Sequence, residues 1–220
     1  MKQHYRRCIS LLFAICYLLF LSSCLGVSAD IELNKNGSGT ITLEYQISKA
    51  LDSLGRLDGN ERWNPIPVGR ADFERSLDRL PEMKLLSFSS VENDRDLVIN
   101  VKMEFASIRG LMAFFDASGQ RSVYSGDARS GSIVFNLHDG VTAKNAELDK
   151  FIAGISKAYS VKMCMSFPNE GSLALTNPKG NAPAAIPGSE INARGKKVFF
   201  SVPLYGLISS SEGINAEFRW

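Results

Sequence analysis

Apolar and polar residues alternate with a period of two through most of this chain, the pattern of strands with one buried and one wet face. Residues 30–34 and 40–47 show it first. Ile31 and Leu33, then Ile41, Leu43, Tyr45 and Ile47, are spaced by Glu32, Thr42, Glu44 and Gln46. Lys35-Asn36-Gly37-Ser38-Gly39 lies between the two runs, and Asn-Gly supplies the positive-φ positions of a tight hairpin turn. The same alternation predicts strands over 84–91 and 96–105, 121–125 and 132–138, 161–167 and 173–176, and 197–202 and 214–220. Trp220 is expected to pack at the edge of the closing strand.

A period near 3.6 takes over between these runs. It predicts short helices over 48–57, over 71–80 with Phe73, Leu77 and Leu80 on one face, and over 108–115 with Ile108, Leu111, Met112 and Phe115. The most regular stripe is Leu148, Phe151, Ile152, Ile155 and Tyr159, which predicts a helix over 145–159 that covers the sheet. Residues 177–189 carry three prolines and two glycines and read as a long irregular loop. The strands alternate instead of running solidly apolar, which argues against a parallel βαβ sheet. The expected fold is therefore α+β, an antiparallel sheet of hairpins with amphipathic helices mainly on one face.

The first two dozen residues follow another logic. Lys2, Arg6 and Arg7 precede an apolar run over 9–21, too short for a bilayer span of ~20 residues, as in a secretory signal peptide. The run closes on Leu21-Ser22-Ser23-Cys24, which resembles the lipobox of bacterial lipoproteins. That resemblance implies cleavage before Cys24, a diacylglyceryl thioether on its sulfur and an N-acyl chain such as palmitate. Each buried methylene contributes ~0.8 kcal/mol, so two or more chains hold a protein stably at a membrane. The expected organisation is a signal peptide over 1–23, a short lipidated tether over 24–29 and one globular domain over 30–220.

Cleavage changes what composition says. The signal holds three of the 25 basic residues and none of the 23 acidic ones, leaving 22 against 23 and a net charge of −1. Nothing in that balance favours nucleic acid as a partner. Cys8 and Cys16 leave with the signal and Cys24 carries lipid, so only Cys164 stays free in the domain and no intrachain disulfide is expected. His138 is the one histidine left, since His4 is also removed, and this count excludes a histidine-rich metal cluster.

Two places invite chemistry. His138-Asp139 sets a base beside a carboxylate, but neighbours on a strand point to opposite faces, and the pair followed by Gly140 reads as a strand-end turn. Met163-Cys164-Met165 offers soft sulfur ligands, yet the alternation sends the methionines to one face and the cysteine to the other. No metal and no cofactor is expected.

The run Asp30-Ile31-Glu32-Leu33-Asn34-Lys35-Asn36-Gly37-Ser38-Gly39-Thr40-Ile41-Thr42, the hairpin-then-helix order and the lipobox together look similar to mycobacterial lipoproteins of the LppM type. That resemblance implies a membrane-anchored domain associated with lipid or glycolipid binding. The leading expectation is a non-enzymatic envelope binding or assembly module, held to a membrane through Cys24 in the bacterial cell envelope, with a lipid or an envelope protein as partner. The alternative is a lipid-binding domain with an apolar pocket between sheet and helices, lined by Phe114, Phe115, Phe151 and Ile155. A hydrolase without a recognisable motif is the third reading.

Overall fold

The computed structural model describes residues 26–48, 67–94, 96–116, 118–140, 156, 159–178 and 183–220. Cys24, the expected helix over 48–57 apart from Ser48, which ends a strand, and nearly all of the expected helix over 145–159, including Phe151 and Ile155, lie outside them.

Ten strands and three short helices are formed by the described residues. In chain order they are β1 (Gly26–Leu33), β2 (Gly39–Ser48), α1 (Arg70–Leu77), β3 (Met83–Glu92), β4 (Asp96–Phe105), α2 (Ile108–Phe115), β5 (Ser122–Gly126), β6 (Gly131–His138), β7 (Ser160–Thr176), β8 (Glu190–Asn192), β9 (Arg194–Pro203), α3 (Leu204–Ile208) and β10 (Ile214–Arg219). The first hairpin turns where the sequence places it, with Gly37 at φ +85° and the Asn36 side-chain oxygen accepting from the Ser38 amide.

All ten strands belong to one sheet, and its order is not that of successive hairpins. One branch runs β3-β4-β2-β1 to β7, and a second continues from β7 through β10 and β6 to β5. β7 is the trunk. β9 follows one of its edges, while the other pairs with β1 over residues 161–166 and with β10 over 172–176. The change of partner falls on Pro168-Asn169-Glu170-Gly171, where proline has no amide to donate and the Phe167 ring lies over Gly171. A side-chain carbon at Gly171 would stand 2.3 Å from that ring.

Three expectations are corrected here. β1 and β7 are parallel, so the sheet is mixed, although each strand alternates in the manner of an antiparallel one. Residues 161–167 and 173–176 form one strand, with a break of register between them, instead of two. β10 is an interior strand between β7 and β6, so Trp220 follows an interior strand and not a sheet edge.

The register explains the core. Paired residues share a face, and one row across the first branch reads Leu85, Met103, Ile41, Ile31, Met165, Val198. Five of these six are fully buried or nearly so, and Leu85 is half-buried. In the second branch Ile133, Phe135, Ala216, Phe218, Leu173 and Leu175 are buried. The two buried faces meet at Phe218, whose ring lies 6.2 Å from Phe200 of β9 and 6.1 Å from Phe135 of β6. α1 sets Phe73 against Tyr45 and Phe88, and the Tyr45 hydroxyl donates to the Pro67 carbonyl. α2 starts at Ser107, whose hydroxyl accepts from the Gly110 amide as an N-cap, and brings Phe115 edge-on to Phe135. Trp220 stacks between Phe167, at 5.3 Å, and Tyr124, at 6.3 Å.

Candidate functional site

The opposite face of the first branch is polar, and register again fixes its rows. One reads Ser87, Lys102, Thr42, Asp30, Cys164, Phe199, Asn192 across seven strands. The adjoining row reads Ser89, Asn100, Glu44, Ser28, Lys162, Ser201, Glu190. Where these rows cross β1, β7 and β9, the surface dips into a cleft of about 490 Å³ lined by Asp30, Cys164, Lys197, Lys162 and Glu190, with Phe199 as its aromatic wall. A smaller cleft of about 200 Å³, between Gln46, Glu44, Tyr159 and Lys162, adjoins the first through Ser28, Ser160 and Lys162.

Strand pairing assembles the polar centre of this cleft. β1 lies parallel to β7 and puts Asp30 directly beside Cys164. On the other side Lys197 reaches diagonally along β9, its Nζ donates to Asp30 Oδ2 at 3.2 Å, and its charge acts on the Cys164 thiol. The lysine side chain is 61% exposed and the aspartate 45%, so the ion pair contributes at most about 1 kcal/mol. Its effect is positional: it holds both side chains over the cleft floor.

The thiol is not activated by this company. Burial pushes the Cys164 pKa up, the Asp30 carboxylate adds to that, and Lys197 opposes it without reversing it. A raised thiol is protonated at neutral pH and a poor nucleophile, since the thiolate is the reactive form. The cleft therefore presents ammonium donors, carboxylate acceptors, hydroxyls and one aromatic face. That set suits recognition of a polar ligand by hydrogen bonds.

The other residues singled out in the sequence lie elsewhere. Met163 and Met165 are buried on the core face, away from Cys164, as the alternation predicted. His138 ends β6 opposite Ile214 in the second branch. Asp139 is engaged by Arg121, at 3.7 Å, and by the Asn136 amide. Phe114 and Phe115 sit half-buried on α2, ring against ring at 5.5 Å, and line neither of the two clefts. A third cleft, of about 410 Å³, runs between Ile186, Tyr205 and Glu212. Asp30, Lys162 and Lys197 were not singled out from the sequence. Their only local signal was that they occupy polar positions of alternating strands, shared with a dozen others.

Among the described residues no helix is long and apolar enough to cross a membrane. No family model matches the sequence, and no curated protein matches it. Among solved structures the chain is similar to the folded domain of the LppM protein of Mycobacterium tuberculosis, determined by NMR. The two share 12% identity with a TM-score of 0.36, over 89% of this chain and 90% of that one, a distant likeness to a lipoprotein domain.

Proposed function

We propose that this chain is a lipid-anchored protein of the bacterial cell envelope whose domain is a non-catalytic binding module. The observation that carries the reading is Leu21-Ser22-Ser23-Cys24 at the end of a charged-then-apolar leader, followed by β1 from Gly26. A cysteine at that position is a lipid attachment point, and the strand that follows at once makes it the root of a folded domain. The polar cleft around Asp30, Cys164 and Lys197 is the binding surface in this reading. Its protonated thiol, and the engagement of Asp139 by Arg121 and Asn136 instead of by a catalytic partner, support binding over catalysis.

Metabolic labelling with a fatty-acid analogue tests the anchor. The wild-type chain should take up label and partition into detergent, and Cys24→Ala should do neither. Label retained by Cys24→Ala would refute the anchor. Alanine at Asp30 and Lys197 together, in the lipidated chain, should abolish cross-linking to envelope components while leaving the fold intact.

A further inference from the structure

We infer that the domain stands with one end of its first branch on the bilayer: the strand ends around Gly26, Glu92, Asp96, Ser160 and Pro203 face the headgroups, and the hairpin tip at Asn36 and Gly37 points away. The inference rests on the anchor reading above and adds to it a membrane-facing surface.

Tether length comes first. Cys24 and Leu25 are all that separates the lipid attachment from Gly26, and two residues reach at most ~7 Å. The expected tether over 24–29 is mostly strand: β1 begins four residues earlier than the alternation suggested.

The second step is that β1 cannot swing. It lies inside the sheet, paired with β2 from Gly26 to Leu33 and with β7 from Val27 to Glu32. Freeing its first turns would break ladder hydrogen bonds on both edges and expose Ala29 and Ile31, which are 3% and 0% exposed. The direction of β1 therefore sets the direction of the domain.

Register then names what reaches the membrane with Gly26. Gly26 pairs with Gln46, Gln46 with Val98 and Val98 with Val91; on the other side Val27 pairs with Val161 and Val161 with Val202. These strand ends are level. Just beyond them lie the β3–β4 turn with Asp94, the start of β7 and the end of β9. Val91, 60% exposed, gives this rim an apolar contact. Among the described residues of the rim the carboxylates Glu92, Asp94 and Asp96 offer no attraction to anionic lipid, and the tether holds it there.

At the far end Leu33 pairs with Gly39, Gly39 with Phe105 and Phe105 with Met83. At ~3.3 Å per residue that row stands ~23 Å above Gly26, and the hairpin tip lies beyond it. By the same measure Ser28 and Lys162 stand ~7 Å above the rim and Asp30 and Cys164 ~13 Å above it. The polar cleft opens sideways just over the membrane surface.

The lipidated full chain carrying Cys164→Ser, with a single reporter cysteine at Asp94→Cys or Lys35→Cys, tests this. Both positions are exposed turn residues, and circular dichroism melts verify folding of each variant. Each is labelled with an environment-sensitive fluorophore and reconstituted into phosphatidylcholine vesicles doped with a headgroup-nitroxide lipid. The inference expects the Asp94 label to be quenched several-fold more than the Lys35 label. Equal quenching, or the reverse, in a chain that floats with the vesicles would overturn the orientation while leaving the anchor standing. A chain that carries its acyl label yet does not float would remove the anchor and the orientation with it.

Discussion

Phe218 is the point at which the two branches hold each other, and truncating it should loosen the molecule more than any other single aromatic change. The side chain is 0% exposed and touches Phe200 of one branch and Phe135 of the other. Phe218→Ala removes the transfer free energy of the ring and leaves a cavity where the two branches meet, which costs about 3–5 kcal/mol. Phe218→Leu keeps most of the volume and loses both ring pairs, each contributing about 0.5–1.5 kcal/mol, so a cost of about 1–3 kcal/mol is expected. Urea unfolding followed by far-ultraviolet circular dichroism gives both values from the midpoint and slope. Because the faces share one core, the wild-type chain should unfold in a single transition, while Phe218→Ala should shift the midpoint or split the transition as the β10-β6-β5 branch melts first. A loss below about 1 kcal/mol for the alanine variant, with an unchanged single transition, would mean that the branches do not depend on Phe218 and that the core is divided between them.

Asp116 closes the loop after α2 by accepting hydrogen bonds from the amides of Ser118, Arg121 and Ser122 and from the hydroxyl of Ser118, which hold its pKa below the usual carboxylate range. A depressed carboxylate stabilises above its unfolded pKa and loses that contribution as pH falls through the folded one, so this loop should stay closed through mild acid and open only below the ordinary carboxylate range. Asp116→Ala should strip the Arg121 and Ser122 amides of hydrogen-exchange protection at every pH, and a carbon-detected titration of Asp116 with an ordinary midpoint would count against the arrangement. At Cys164, Asp30→Asn removes one of the two causes that raise the thiol, so alkylation by iodoacetamide at fixed pH should speed up; Lys197→Met should slow it, and the opposite order would show that Lys197 does not face the sulfur.

The strands were legible from the sequence because the period-two pattern is a local consequence of the pleat, and it gave the facing of Met163, Cys164 and Met165 as well as the first hairpin. Partner choice was not legible, and it failed where the chemistry gathers. Pro168-Asn169-Glu170-Gly171 carries the residues of a turn, yet here they only break the register of one continuous strand, because Gly171 leaves room for the Phe167 ring against the backbone and β9 continues along the same edge. Gly26-Val27-Ser28-Ala29 sets only Val27 and the small Ala29 against Gly26 and Ser28, too short and weak a contrast to read as a strand, which hid the first half of β1. The parallel contact of β1 with β7 joins segments far apart in sequence, with no turn between them to advertise it. Asp30 and Cys164 meet only through that pairing, and Lys197 joins them only through the β7–β9 pairing on the other edge. A cleft built from several strands is invisible to any reading that takes strands one at a time, whereas Leu21-Ser22-Ser23-Cys24, contiguous in the chain, shows its resemblance to a lipobox without any fold.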